Sequence, residues 1–325
     1  MKVAVIGCGG MGQWHALSYM KMSGVELVGV CDNVLSFAEE VAKKTGTNAF
    51  ESFEEMVAAV DFDVVSVAVP SYLHKELVCQ AAKAGKHVIC EKPIALALED
   101  AKEMIRCCEE NDVRLFVGHV VRFFPEYSQM KKQIDAGEIG KVGVVNARRV
   151  GSHPGNARPW FKDADKSGGV IVDLMIHDID FMRWTLGEVK SVYGMNKCDA
   201  DMDYALVTLV FESGAVANLE AFWGYPGSFR YAAEFAGSQG LVRTDSMDAQ
   251  SLQIRKVASE ENQGKVVEIP QSPNFNDPYY IELEHFLNSI RYGTEPIVTA
   301  HDAVKALEIA NAALTSIRTG KSVLL

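Results

Sequence analysis

Four glycines near the start of the chain leave little freedom in the choice of fold. The apolar run Val3 to Ile6 leads into a turn with the spacing GxGxxG, and a helical pattern follows from about residue 13 to 22. In this setting glycines allow a tight turn and bring backbone N–H groups close to a pyrophosphate, while the helix N-terminus supplies partial positive charge. A glycine-rich turn without a ligand is the alternative. We therefore predict a dinucleotide site at Gly7, Gly9, Gly10, Met11 and Gly12.

Apolar runs that alternate with helical patterns extend this first strand and helix into a whole domain. The runs are Val3 to Ile6, Val25 to Cys31, Val64 to Val69, His87 to Cys90 and Val113 to Val117. Such alternation is typical of βαβ units, which build a parallel sheet with helices on both faces. The sequence predicts a doubly wound α/β Rossmann domain over residues 1–120, with its ligand crevice at the carboxyl ends of the strands.

After about residue 120 the pattern changes to longer alternating runs and amphipathic helices. Leu206 to Phe211 and Ala215 to Phe222 read as a hairpin joined through Ser213-Gly214. Helical patterns cover Gly169 to Leu186, Tyr279 to Arg291 and Asp302 to Arg318. We predict that residues 121–325 form a second, α+β domain with a mostly antiparallel sheet.

An acidic residue at the end of the second strand bears on the choice of cofactor. Asp32 follows the glycines by about 20 residues, where a carboxylate can accept hydrogen bonds from the adenine ribose hydroxyls. A 2′-phosphate would meet this carboxylate, and Asn33 rather than an arginine comes next. The sequence therefore predicts NAD as the cofactor, in preference to NADP. Asp32 could instead cap the next helix, because aspartate is a good N-cap residue.

Three side chains are candidates for acid-base chemistry. Lys92 follows the strand that ends at Cys90 and so lies beside the crevice, where an ammonium can stabilise developing alkoxide charge. Asp173 and His177 are four residues apart, hence on one face of a helix. His177 can accept an alcohol proton near neutrality. A solvated surface lysine and a structural histidine are the alternatives. We predict no metal, because neither closed cysteine/histidine spacing nor HExxH occurs.

Composition excludes several classes of partner. A formal net charge of −11 and the lack of a basic stripe argue against nucleic acid. No apolar run is long enough to span a bilayer, and the N-terminus reads as a strand rather than a signal peptide. Seven cysteines are an odd number without a CxxC pair, which favours reduced thiols and a cytoplasmic location.

Several short motifs follow one another along the chain in a specific order and spacing. They are the glycine turn followed by Trp14-His15, the segment Val69 to His74, the tripeptide Glu91-Lys92-Pro93, and the run from Gly168 through His177 to Asp180. On these motifs the chain resembles the glucose-fructose oxidoreductase / inositol dehydrogenase (Gfo/Idh/MocA) family over essentially its whole length. One mild departure is Ser167 where the family often has a third glycine.

The resemblance implies roles for individual residues. It makes Lys92, Asp173 and His177 the catalytic set, with His177 as the acid/base, Lys92 on the reacting oxygen and Asp173 in support. It also implies that three further residues lie along the cofactor, namely Ser71, His74 and Glu91. Family members commonly carry an open-faced sheet in the second domain and assemble through it, so we expect a homodimer or homotetramer.

Two segments look like the family's variable substrate wall. They are the stretch beginning at Arg122 and the loop 151–166, which contains Asn156, Arg158 and Trp160. An ordinary surface loop closed by Trp160 is the alternative reading.

The leading hypothesis is an NAD-dependent oxidoreductase that transfers a hydride to or from a hydroxyl-bearing carbon of a sugar, an inositol-like polyol or a nucleotide sugar. A non-catalytic dinucleotide-binding regulator of the same fold is the rival from another class. An oxidoreductase of the family that acts on a non-sugar substrate is the third possibility.

Overall fold

A computed structural model describes residues 1–247 and 277–325 and contains two sheets. The first sheet has six strands, in the order β3-β2-β1-β4-β5-β6, and every pair is parallel. The strands are β1 Lys2–Ile6, β2 Glu26–Cys31, β3 Asn48–Phe50, β4 Val64–Val67, β5 His87–Glu91 and β6 Leu115–Gly118. This order confirms the predicted doubly wound Rossmann architecture, and it brings the ends of β1, β4 and β5 to one edge.

The helices of the first half connect these strands. They are α1 Gly10–Lys21, α2 Leu35–Thr45, α3 Phe53–Ala59, α4 His74–Lys83 and α5 Leu98–Glu110. Local chemistry sets several of their ends. The Ser52 side chain accepts a hydrogen bond from the Glu55 backbone N–H and caps α3, and Gly46 ends α2 in the left-handed conformation that glycine adopts without strain.

The second sheet has seven strands, in the order β12-β11-β7-β10-β9-β8-β13. The strands are β7 Val142–Gly151, β8 Val189–Cys198, β9 Asp203–Phe211, β10 Val216–Trp223, β11 Arg230–Gly237, β12 Leu241–Asp245 and β13 Val323–Leu324. The predicted hairpin is the antiparallel pair β9 and β10. Within the described part of this second sheet, only the pairing of β7 with β10 is parallel, so the predicted mostly antiparallel sheet is confirmed.

One face of the second sheet is buried and the other is open. Buried and half-buried residues alternate along β9 and β10, as expected when every second side chain faces a core. Helices cover the buried face, whereas the opposite face carries polar side chains around a concavity of about 380 Å³. The helices of the second half are α6 Pro125–Asp135, α7 Ala164–Ser167, α8 Ile176–Leu186, α9 Pro278–Tyr292 and α10 Ala300–Thr319.

Helix α9 packs on the first domain although it lies in the second half of the chain. Leu283, Phe286 and Leu287 belong to the apolar core that contains Val3 and Ala16, and they are fully or almost fully buried there. This helix thus contributes to the core of the first domain although the predicted division into 1–120 and 121–325 assigns it to the second, and that division stays a prediction. Within residues 1–247 and 277–325, none of the helices combines the length and apolar character that a bilayer-spanning segment needs.

Candidate active site

The glycine-rich turn has the shape that a dinucleotide pyrophosphate requires. Gly7 has a φ of +89°, and a methyl group there would lie 2.6 Å from the carbonyl oxygen of Ala68. A methyl group on Gly12 would overlap the carbonyl oxygen of Gly7, so only glycine allows α1 to pack this closely on β1. Gly9 precedes α1 and offers no side-chain cap, which leaves the first N–H groups of the helix for a ligand. The residues present fit the predicted dinucleotide.

Asp32 lies beside this turn at the end of β2. One carboxylate oxygen accepts a hydrogen bond from the backbone N–H of Cys8 at 2.8 Å, and the other accepts one from Val34 at 2.9 Å. Helix α2 begins at Leu35 with Val34 as its N-cap residue, so Asp32 does not cap it. These bonds orient the carboxylate beside the glycine turn, and its role toward the ribose stays a prediction.

Lys92 and Asp173 meet although 81 positions separate them. The Lys92 ammonium donates to the main-chain carbonyl oxygen of Asp173 at 2.7 Å and to its carboxylate Oδ1 at 3.0 Å. Both side chains are largely buried, with 16% and 14% of their surface exposed. The strand-end position predicted from the sequence therefore does bring the lysine to the aspartate.

The segment that carries Asp173 differs from the continuous α-helix that the sequence predicts. Ile171–Met175 forms a π-helical turn, and α8 follows from Ile176. Such turns are rare and occur often at functional sites. Two glycines with positive φ, Gly168 and Gly169, precede it, and the backbone N–H of Val170 donates to the Asp203 carboxylate at 2.8 Å.

His177 lies at the start of α8, four residues after Asp173, and is partly exposed. Its Nδ1 atom is buried and has no hydrogen-bond partner within the described part of the chain. Burial lowers the pKa of His177 well below its usual value, and the positive charges of Lys92 and Arg149 act in the same direction. The imidazole is therefore neutral near pH 7 and can accept a proton.

Two residues expected along the cofactor, His74 and Glu91, make hydrogen bonds around the segment that carries Lys92. The ring of His74 is buried between two carbonyl groups, 2.8 Å from the oxygen of Pro93 and 3.1 Å from that of Val69. Both ring nitrogens are within hydrogen-bond distance of the protein's own backbone, so His74 connects the end of β4 to Pro93, and its contact with the cofactor stays a prediction.

Glu91 is the second of these residues, and its contact with the cofactor likewise stays a prediction. Its Oε1 atom lies 2.9 Å from Nε2 of His15 on α1, and its Oε2 atom accepts a hydrogen bond from the backbone N–H of Lys92. Burial raises the pKa of Glu91, but the hydrogen bond and charge of His15 and the charge of Lys92 outweigh it and leave the pKa below its usual value. Glu91 thus joins α1 to the lysine. Ser71, which starts a 3₁₀ turn after β4, is buried, and its cofactor contact stays a prediction.

Arg122, predicted at the substrate wall, is bonded to groups of the protein itself, and its contact with a substrate stays a prediction. Its guanidinium is buried and donates to both carboxylate oxygens of Asp180, at 2.8 and 2.6 Å. It also donates to the carbonyl oxygen of Ile297 and to Asp302. Its donors are used inside the protein, so Arg122 joins the start of the second domain to α8 and α10.

The loop 151–166 folds over the edge of the first domain. Trp160 stacks on Phe161, with ring centroids 3.8 Å apart, and meets Tyr72 edge-on at 6.2 Å. The guanidinium of Arg158 reaches Gly10, while Asn156 lies exposed in the loop. The structure places the guanidinium of Arg158 at the glycine turn, and its predicted contact with a substrate stays untested. The substrate contacts of Asn156 and Trp160 remain predictions.

Two residues near the lysine were not singled out as functional from the sequence. His119 follows β6, whose last residue Gly118 pairs with Glu91, so it occupies the strand end next to that of Lys92. Its position directly after a parallel strand could have indicated His119 from the sequence. Arg149 on β7 forms a buried two-point ion pair with Asp178, the neighbour of His177. No sequence pattern links these two positions.

Comparisons with known proteins agree with this arrangement. A family model described as an oxidoreductase family with an NAD-binding Rossmann fold matches residues 1–119, and the model of its C-terminal α/β domain matches residues 131–325. The chain is 32% identical to scyllo-inositol 2-dehydrogenase (NAD(+)) of Bacillus subtilis, over 99% of this chain and 96% of that protein.

Solved structures are similar over the same length. Scyllo-inositol dehydrogenase of Lactobacillus casei, with bound NAD(H) and scyllo-inositol, has a TM-score of 0.82 at 26% identity, covering 100% of this chain and 98% of that one. The WlbA dehydrogenase of Bordetella pertussis, in complex with NADH and UDP-GlcNAcA, has a TM-score of 0.84 at 26% identity with the same coverage. The glycine turn, the Lys92–Asp173 contact and these matches together place the chain in the Gfo/Idh/MocA oxidoreductase family.

Proposed function

We propose that this protein is an NAD-dependent dehydrogenase that transfers a hydride between the nicotinamide C4 atom and a hydroxyl-bearing carbon of a polyol or sugar. The observation that carries the proposal is the contact of the Lys92 ammonium with Asp173, one helical turn from a neutral His177. A lysine at the carboxyl edge of a Rossmann sheet, close to an imidazole whose Nδ1 atom has no partner in the described part of the chain, supplies the cation and the base that alcohol oxidation needs.

The proposed mechanism divides the work among these three residues. The bound nicotinamide supplies the hydride acceptor or donor. Lys92 donates two of its three ammonium hydrogens to Asp173, which leaves one for the substrate oxygen. There the ammonium stabilises alkoxide character during oxidation or polarises a carbonyl during reduction. His177 accepts the hydroxyl proton, because its lowered pKa keeps it unprotonated.

We propose NAD in preference to NADP because of Asp32. Its carboxylate is fixed beside the glycine turn by the backbone N–H groups of Cys8 and Val34. A ribose 2′-hydroxyl can donate to such a carboxylate, whereas a 2′-phosphate would be repelled by it.

A ring-shaped polyol, sugar or nucleotide sugar suits the aromatic side chains near this site. Aromatic side chains lie side by side along the second domain, where Phe161 contacts Trp223 edge-on and stacks on Trp160. Flat aromatic faces pack against the C–H groups of a sugar ring, while Asn156 can donate to hydroxyls. The scyllo-inositol and UDP-sugar relatives support this substrate class.

A homodimer or homotetramer is proposed on the open face of the second sheet. Polar side chains such as Asn146, Arg148 and Glu220 surround its concavity. An exposed sheet face of this kind is commonly covered by a second copy. A cytoplasmic location is proposed on the seven cysteines, all of them free thiols.

Turnover assays test the proposal directly. Purified protein is mixed with NAD and a panel of inositols, aldoses and UDP-sugars, and NADH absorbance is followed, with NADP in parallel. We expect turnover with one substrate class. Lys92→Ala should lose this turnover, whereas Lys83→Ala, a control on the exposed face of α4, should keep it. NADH binding without turnover on any of these substrates, unchanged by Lys92→Ala, would instead favour the non-catalytic regulator. Faster turnover with NADP would contradict the role of Asp32.

A further inference from the structure

Arg158 occupies an unusual position above the glycine-rich turn. A methyl group placed on Gly10 would overlap the guanidinium, with its Cζ atom 3.6 Å away, and one placed on Gly9 would lie 4.0 Å from Nη2. Gly10 is the first residue of α1. The arginine comes from the loop 151–166 of the second domain, so the contact spans the crevice in which a dinucleotide would lie.

Electrostatics alone does not explain this position. The N-terminus of α1 carries partial positive charge and exposes unpaired N–H groups, so a cation placed there is repelled. No carboxylate in residues 1–247 or 277–325 lies within ion-pair distance of the guanidinium. Arg158 is also exposed and could extend into solvent. A cation and a helix N-terminus facing each other make a favourable arrangement once an anion lies between them.

A diphosphate is the anion whose chemistry fits both sides. The glycine turn presents backbone N–H groups from one direction, and a guanidinium presents a planar fork of donors that matches phosphate oxygens from the other. Because Gly10 has no side chain, the guanidinium of Arg158 can approach the backbone of the turn.

We propose that Arg158 binds the pyrophosphate of the dinucleotide and thereby closes the loop 151–166 over the cofactor. The same loop carries Trp160, which touches Tyr72 just beyond the end of β4. Arg158 and Trp160 are two residues apart, so binding of the pyrophosphate fixes the position of the aromatic side chain.

This inference rests on the family's dinucleotide site and does not need the proposed substrate. Its test is equilibrium binding rather than turnover. Dissociation constants for NADH, ADP-ribose and adenosine are measured by calorimetry or by NADH fluorescence displacement. The proteins compared are the unmodified chain, Arg158→Gln, Arg158→Lys, and Lys162→Gln as a control cation exposed in the same loop.

We expect Arg158→Gln to weaken NADH and ADP-ribose roughly tenfold or more, the usual effect of losing a hydrogen bond to a charged group. Adenosine lacks the pyrophosphate, so its affinity should not change. Arg158→Lys should recover part of the loss, and Lys162→Gln should leave all three affinities within about twofold of the original, well under the ~1.4 kcal/mol of a tenfold change. Unchanged NADH affinity in Arg158→Gln, or an equal loss for adenosine, would overturn the proposal. Absence of turnover on every sugar would refute the proposed function but not this result.

Discussion

Replacement of Arg122 by methionine separates a structural role from a substrate-binding one. The guanidinium and the Asp180 carboxylate are buried, each with 1% of its side chain exposed, and two hydrogen bonds of 2.8 and 2.6 Å join them. Arg122→Met would leave Asp180 as an uncompensated buried charge and remove a donor from the carbonyl oxygen of Ile297. Breaking a buried pair in this way costs about 3–5 kcal/mol of stability.

Chemical or thermal denaturation measures the effect, and a second substitution provides its control. In the double variant Arg122→Met with Asp180→Leu no charge is left unpaired, and apolar replacements of buried pairs are often neutral. We therefore expect the double variant to recover most of the stability that the single variant loses. The non-additivity of the two substitutions reports their direct interaction.

The stability lost in Arg122→Met should depend on pH, which the loss from a simple cavity would not. Nδ1 of His119 lies 3.9 Å from Asp180. Burial lowers the pKa of His119, Asp180 raises it and Arg122 lowers it. Without Arg122 this pKa rises, so the folded variant takes up a proton as the pH falls and regains part of its stability. The loss should be smaller at pH 6 than at pH 8. Unchanged stability together with a raised KM for substrate would refute the structural role.

Three further predictions concern the site itself. Lys92→Met should lower kcat by roughly 10²–10⁴-fold while NADH affinity changes little, because the ammonium acts on the reacting oxygen; paired kinetics and NADH titration measure both. The rate of oxidation should fall only at a pH below the usual imidazole pKa, because burial and then Lys92 lower that of His177, and His177→Asn should abolish this acidic fall in a pH-rate profile. Gly12→Ala should abolish NADH binding in a fluorescence titration because its methyl group overlaps Gly7, whereas Gly143→Ala, with open space around it, should not.

The parts of the fold that follow from local chemistry could be predicted from the sequence. The glycine turn is recognisable because its spacing and its place between strand and helix are both local. Lys92 is recognisable because the carboxyl end of any parallel strand faces the crevice. The hairpin of β9 and β10 is recognisable from alternation and from the Ser213-Gly214 turn.

The contacts that the sequence did not predict all depend on distances between remote segments. Arg122 follows a strand end just as Lys92 follows another, yet Asp180 lies within reach of one and Asp173 within reach of the other. No local pattern distinguishes the two cations. The packing of helix α9 on the first domain could not be predicted for the same reason, since an apolar helix face does not itself specify its partner. The four-residue spacing of Asp173 and His177 does not reveal the π-helical turn that carries Asp173.

The position of Lys92 is fixed from two sides, and one of them leads back to the cofactor. Its ammonium is held by Asp173 in the second domain, and its backbone N–H donates to Glu91 in the first. Glu91 in turn pairs with His15, which lies on the helix that begins at the glycine turn. Burying a carboxylate and an imidazole behind an active site is costly unless they are paired. Here both groups are paired, and the pair connects the helix that begins at the glycine turn to the strand end that carries Lys92.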